Sequence, residues 1–474
     1  MESNLNDQSP GENKGIDGSF NKNIALAVIC LGLFLSSVVM SSTGLCLPPI
    51  SREYGLDIHG ASWVMLALLI TSTSLLLVMG RAGDIYGHRR LYIAGHLILA
   101  VSSLISGVAP DFLILLAGRV LQGFGGAMIF TSSPSIISTT FPAKERGKAL
   151  GMQSTSVYLG LMLGPPLGGE LIHSFGWRSV FLVMVPLAAV IAVLGWRLLP
   201  TPKPQRDGRM DFKGALALVT GLPFLLIALN QGQSWGWTAP RTYLLALSGI
   251  SVVVYFLVIQ ARSDDPLLDL GLFRSRMFTG ATLSAIANYT ALTFSSFLLP
   301  FFLVESRGLN SAQAGLILST QPLMMAVSAS PSGWLSDRLG SRGLTFAGMM
   351  IMLLGFVGLT FHAATESTTI IAVWLAVLGL GTGIFISPNT NALLGSAPRD
   401  KQGIASGVMA FARNFGMLLG TTISALIFHI SGGDTGSAWQ PKDLYAFKVA
   451  VGTAAAISLM GALTSLMRGK RKQY

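Results

Sequence analysis

Runs of about 20 apolar residues follow one another along this 474-residue chain, and fourteen of them can be separated. A helix rising ~1.5 Å per residue crosses a ~30 Å hydrocarbon layer in a run of that length. No water in that layer satisfies backbone N–H and C=O groups, so a spanning chain must be helical or a closed barrel, and runs this long select helix. The composition agrees: 51% of residues are hydrophobic and 11% charged, against about 25% charged in a soluble domain. The chain reads as an all-α polytopic membrane protein.

The net charge of +11 would suit nucleic acid, but the placement of the charges argues against that partner. The Lys and Arg residues crowd the loops on the N-terminal side of the bundle, whereas Arg52, Arg178, Arg241, Arg307, Lys442 and Lys448 fall on the other side. That bias predicts cytoplasmic N and C termini in a multi-pass cell membrane protein. Residues 1–22 read as a polar cytoplasmic tail and 468–474 as a basic one meeting anionic lipid head groups. Trp235 and Trp237 read as interfacial anchors. Cys30 and Cys46, in one predicted helix, are ~24 Å apart and cannot form a disulfide with each other.

The sequence repeats internally. Gly147, Ala149, Gly151, Gly160 and Gly164 map at a constant offset onto Gly403, Ala405, Gly407, Gly416 and Gly420, and Gly123 and Gly125 map onto Gly379 and Gly381. Two short basic loops also correspond. The first runs from Gly80 through Asp84 and Gly87 to Arg89 and Arg90; the second from Gly333 through Asp337 and Gly340 to Arg342. The expected organisation is a six-helix half over 23–199, an inserted helix pair over 200–262 and a second six-helix half over 263–467. Repeated halves rocking about a site at mid-membrane are the architecture of secondary transporters.

With these residues in place the chain resembles the major facilitator superfamily, in its fourteen-helix drug:proton antiporter branch. The Gly80–Arg90 loop looks like the family's signature between helices two and three, with Ile85 and His88 where Arg is usual. Leu116–Gly123 resembles its fourth-helix signature, and Gly160–Gly169 its fifth-helix antiporter signature, followed by Trp177, Arg178 and Phe181. In the last, Gly160, Gly164, Gly168 and Gly169 would let helices approach closely while Pro165 and Pro166 kink the span.

The resemblance implies that Asp84 and Asp337, with Arg89, Arg90 and Arg342, form a conformational switch. It implies that Arg119, a charge inside a span, takes part in proton exchange while bonded to the first helix; Arg413 is a second such charge. This branch usually carries an Asp in its first span, and here that position is Val39. Coupling to protons then falls to Glu170 or Glu305, with His173 a further candidate, or is absent. Met40, Phe130, Gln153, Tyr158, Asn288, Tyr289, Phe297, Gln321, Asn389 and Asn391 are candidates for the substrate cavity, mixing adaptable apolar surface with a few polar groups.

No phosphate-binding loop, His-Glu helix motif or paired-aspartate run points to an ATP-driven pump or a membrane enzyme, and no cofactor or metal is implied. The expected function is secondary active efflux of drugs or other small amphipathic compounds by alternating access coupled to proton influx, by a monomer. The alternative is export of a specific neutral or anionic metabolite with altered or absent proton coupling.

Overall fold

The computed structural model describes residues 21–200, 211–236, 238–263, 266–364, 367–398, 401–433 and 439–467. The tail 1–20, Trp237, and the basic tail with Arg468, Lys470, Arg471 and Lys472 lie outside this set, as does the side chain of Asp337. Fourteen long helices fill it. The first half comprises α1 (Lys22–Tyr54), α2 (Ile58–Tyr86), α3 (His88–Gly107), α4 (Phe112–Thr140), α5 (Ala143–Phe175) and α6 (Arg178–Leu198, interrupted at Val183). The inserted pair is α7 (Phe212–Trp235) and α8 (Pro240–Arg262). The second half comprises α9 (Arg276–Phe301), α10 (Ser311–Leu339), α11 (Ser341–His362), α12 (Thr368–Gly395), α13 (Gln402–Ile430) and α14 (Pro441–Leu466).

Local chemistry starts these helices. Asp57 and Asp111 cap α2 and α4, accepting from Gly60 N at 2.6 Å and Ile114 N at 2.9 Å. Asn310 and Gln313 close a reciprocal capping box on α10. The helices run longer than the apolar runs suggest. Pro48 and Pro49 do not stop α1, which continues to Tyr54. The two basic signatures, expected as loops, are almost wholly helical. One residue turns each chain: Gly87 at φ 96° and Gly340 at φ 82°, where a side chain would be strained. A single left-handed residue reverses the path, so the flanking residues stay hydrogen-bonded in their helices.

The repeat is reproduced contact by contact. In the first half α5 packs on α1, α4 on α2 and α3, and α6 on α3; in the second α13 packs on α9, α12 on α10 and α11, and α14 on α11. The matched glycines make these approaches: a Cβ at Gly160 would lie 2.5 Å from the Phe34 carbonyl oxygen, and one at Gly416 would lie 2.7 Å from that of Ile286. The halves meet along two seams, α5 on α10 and α2 on α13, and the inserted α7 covers the second.

Twelve of the described helices are long and apolar enough to span a membrane; α5 and α10 are the two less apolar ones. They are also partners in one seam, where small and polar residues replace lipid-facing bulk.

Asp269, in the segment leading into α9, bonds Lys401 at 2.5 Å beside the start of α13. That bond holds the Asp269 carboxyl below its ordinary range. A depressed carboxylate stabilises the fold above its unfolded pKa and loses that contribution as pH falls through the folded value. Lys401→Met should therefore lower thermal stability at neutral pH, and the difference from the parent should shrink as pH falls below the unfolded carboxylate pKa of about 3.9 and disappear only below the lower folded value; melting curves across that range check it.

Candidate functional site

The two faces of the bundle differ. At the face remote from Lys22 and Leu466 the halves are tightly joined. A Cβ at Gly44 on α1 would sit 2.8 Å from the Ser296 carbonyl oxygen on α9. Gly315 on α10 touches the Pro165 carbonyl on α5, and Gly169 touches that of Ser311. Arg52 on α1 pairs with Glu305, just beyond α9, at 2.8 Å. Toward the basic face α5 opens: a Cβ at Gly147 or Gly151 would meet nothing within 4 Å. Ser154 and Thr155 are exposed there, their hydroxyls donating to carbonyls four residues back.

The Arg52 side chain is 60% exposed, and an exposed pair is worth only about 0–1 kcal/mol. It marks the closed seam without being what closes it. Glu305→Gln should consequently slow transport by less than about fivefold. An Arg52→Cys/Glu305→Cys disulfide should stop it until reductant is added; a flux assay on both variants checks this.

A small, partly open cavity lies at mid-depth. Ser36, Val39 and Met40 of α1, Leu69 and Ser72 of α2, Arg119, Gln122 and Phe130 of α4, and Arg413 and Asn414 of α13 line it. Its wall thus draws on both halves. Val39, where the resemblance leads one to expect an acid, is in that wall, and among the described residues the wall contains no Asp, Glu or His.

Arg119 is 2% exposed. Its Nε donates to the Val64 carbonyl of α2 at 2.7 Å, and its Nη1 to Gln122 Oε1, whose amide donates to Ser103 Oγ at 3.3 Å. The expected bond to the first helix is replaced by one to α2, because residues 64 and 119 lie at the same depth on packed helices. Phe181 covers the guanidinium, 5.6 Å away. Arg413 is held more loosely: Nε donates to Asn414 Oδ1 at 3.5 Å, and the guanidinium lies 5.2 Å from the Phe130 ring. Asn414 in turn donates to Ser72 Oγ at 3.2 Å, across the seam between halves.

Of the other expected cavity residues, Tyr158 and Tyr289 lie within electrostatic reach of Arg413. Gln153 is half-buried on α5. Asn288 is fully buried within the second half, donating to Met352 Sδ at 2.9 Å and to Met349 Sδ at 3.4 Å. Phe297 is also fully buried. Gln321 accepts from Ser295, Asn389 donates to the Ala281 carbonyl, and Asn391 is exposed toward the basic face. Glu170 and His173 are exposed at the remote face, the former accepting from Ser174. Gln122 and Asn414, absent from the expected set, stand three residues and one residue from the two arginines, which was the available signal.

In the first basic signature, Asp84 bonds His88 Nε2 at 3.0 Å and not Arg89, Arg90 or Arg342. The turn at Gly87 brings the His88 ring, at the start of α3, back over the last turn of α2, and it takes the position the arginines were expected to fill. Arg89 reaches the Trp196 carbonyl on α6, and Arg90 and Arg342 are exposed. Gly80 has open space around it, while a Cβ at Gly333 would crowd Ser387 on α12 at 2.6 Å.

Two repeated six-helix halves sharing a mid-depth cavity, sealed at one face and loosened at the other, define a polytopic membrane permease. The chain belongs to the Major Facilitator Superfamily, whose family model matches residues 29–421 and again 281–473. Among curated relatives, the riboflavin transporter RibZ of Clostridioides difficile (strain 630) is 31% identical over 411 residues, 86% of this chain and 88% of that protein. The multidrug resistance protein Stp of Mycobacterium tuberculosis (strain CDC 1551 / Oshkosh) is 28% identical, covering 85% of this chain and 75% of Stp. The crystal structure of the human organic anion transporter MFSD10 shares the fold, with a TM-score of 0.63 at 15% identity over 94% of this chain and 99% of that one. This protein is a multi-pass membrane transporter of small molecules.

Proposed function

We propose that this transporter exports neutral or anionic amphipathic compounds by alternating access. The observation that supports this is the cavity wall, where Arg119 and Arg413 face a space bordered by apolar and amide groups with no carboxylate among the lining residues. A cationic drug placed there would be desolvated beside two like charges, at a cost that grows as the local dielectric falls. A neutral or anionic solute gains hydrogen bonds from the same groups. The positive-inside bias makes the basic face cytoplasmic, so this conformation opens toward the cytoplasm and would load solute there. Rocking of the halves would break the Gly169–Ser311 and Arg52–Glu305 contacts and release solute outside.

Relatives named for riboflavin transport and for multidrug resistance are compatible with uncharged ring compounds as cargo. A second reading, exchange of cationic drugs for protons, draws on the multidrug names, but lacks a proton-binding carboxylate at the cavity. Efflux in pump-deficient cells separates the two, using neutral, anionic and cationic dyes with and without an uncoupler. The proposal expects export of neutral or anionic dyes and none of cationic ones. Broad cationic export that collapses with the uncoupler overturns it.

A further inference from the structure

Arg413 differs from Arg119 in what its charge is used for. Arg119 spends its donors on Val64 and Gln122 under a ring. Arg413 has one long bond, from Nε to Asn414, and its two terminal nitrogens have no hydrogen-bond acceptor among the described residues. Its guanidinium lies over the Phe130 ring of α4 at 5.2 Å. Tyr158 of α5 and Tyr289 of α9 are both within its electrostatic reach and within reach of each other. Neither phenol has a hydrogen-bond partner among the described residues. Tyr289 belongs to the large core that joins the halves and Tyr158 packs on it, while Arg413 itself lines the cavity.

We propose that Arg413, Tyr158 and Tyr289 form an anion-binding subsite and Phe130 a ring platform beside it, so that the preferred cargo is an aromatic organic anion. The inference rests on the cavity reading above and narrows it. A guanidinium with two unused N–H edges matches a carboxylate or similar planar anion bidentately. Two phenolic O–H groups near the cation add donors, and an aromatic face next to it holds the ring by stacking. Because Phe130 and Tyr158 come from the first half and Tyr289 and Arg413 from the second, a bound anion would tie the halves together at mid-depth. That placement couples occupancy to their relative position.

Binding to the purified full-length protein in detergent tests this with two xanthene dyes that share a ring system: fluorescein, an anion, and rhodamine 6G, a cation. Fluorescein should bind, with affinity falling at least about tenfold in Arg413→Gln and severalfold in Tyr158→Phe and Tyr289→Phe, and Arg413→Lys keeping part of it. Rhodamine 6G should bind weakly to all of them. Unchanged fluorescein affinity in monodisperse Arg413→Gln overturns the subsite and leaves the broader reading standing. Should Arg413→Gln fail to fold, unchanged affinity in both tyrosine variants overturns it equally. No fluorescein binding overturns the subsite, and wild-type preference for rhodamine 6G overturns both.

Discussion

Gly169→Ala should stop transport, while Gly151→Ala should leave it unchanged. Both glycines lie on α5, eighteen positions apart, and composition alone does not distinguish them. A Cβ at Gly169 would fall 3.0 Å from the Ser311 carbonyl carbon of α10, and nearer still to its oxygen. Backbone cannot swing aside as a side chain can, so the added methyl must push the halves apart at the remote face. Overpacking of this kind costs about 1–3 kcal/mol, which moves a two-state equilibrium roughly 5- to 150-fold. Because Gly169 faces the other half, that cost falls on the closed conformation and spares each half's own fold. Gly151 has nothing within 4 Å, and an alanine there adds helix propensity without a clash. Solute flux and thermal stability measured together separate the outcomes: Gly169→Ala should lose flux and keep a folded melting transition. Gly164→Ala is the internal contrast. Its Cβ would press on Val38 of the same half, 2.6 Å from that carbonyl oxygen, so it should lower the melting temperature as well.

Arg119→Met should lose both stability and transport, and Arg119→Lys should recover neither fully. The guanidinium supplies two donors in a fixed fork, Nε to the Val64 carbonyl and Nη1 to Gln122. Methionine fills much of the volume but strands those two acceptors in a buried site, where each unpaired polar group costs about 1–3 kcal/mol. A lysine ammonium is a point donor on a flexible stem and cannot reproduce the fork. The melting temperature of the purified protein should fall for both variants, further for methionine, with flux reduced at least tenfold in each. Unaltered stability in Arg119→Met would mean that the contacts to α2 and Gln122 contribute nothing.

The helices were legible because a membrane leaves the chain little choice: every spanning backbone must bond within itself, and hydropathy reports where it does. The repeat was legible for a related reason. Gly160 and Gly416, or Gly123 and Gly379, mark places where two backbones touch, and only glycine fits there. What the sequence could not supply is which face of a helix a polar residue occupies. Asn288 and Asn389 carry the same amide as Asn414, yet the first lies against methionine sulfurs and the second against the Ala281 carbonyl, while Asn414 borders the cavity. Ser72 looked like any small polar residue of a membrane helix, and its contact with Asn414 joins residues 342 positions apart. The pairing of Asp84 with His88 was hidden by the arginines beside it, and it depends on the turn at Gly87 that folds the start of α3 back on the end of α2. Val39 worked the other way. Its significance was read from a missing acid, and its place in the cavity wall makes that absence a property of the site.

The central claim is that the halves exchange between a conformation closed at the remote face and one open there. Spin labels at Glu170→Cys on α5 and Gln313→Cys on α10 would report it directly by pulsed dipolar spectroscopy, with Cys30 and Cys46 replaced by serine and alanine. Both labelled positions are exposed beside the Gly169–Ser311 contact. The account predicts two distance populations, a short one for the conformation described here and a longer one, whose ratio shifts when transported solute is added. A single distance that no solute changes would contradict it.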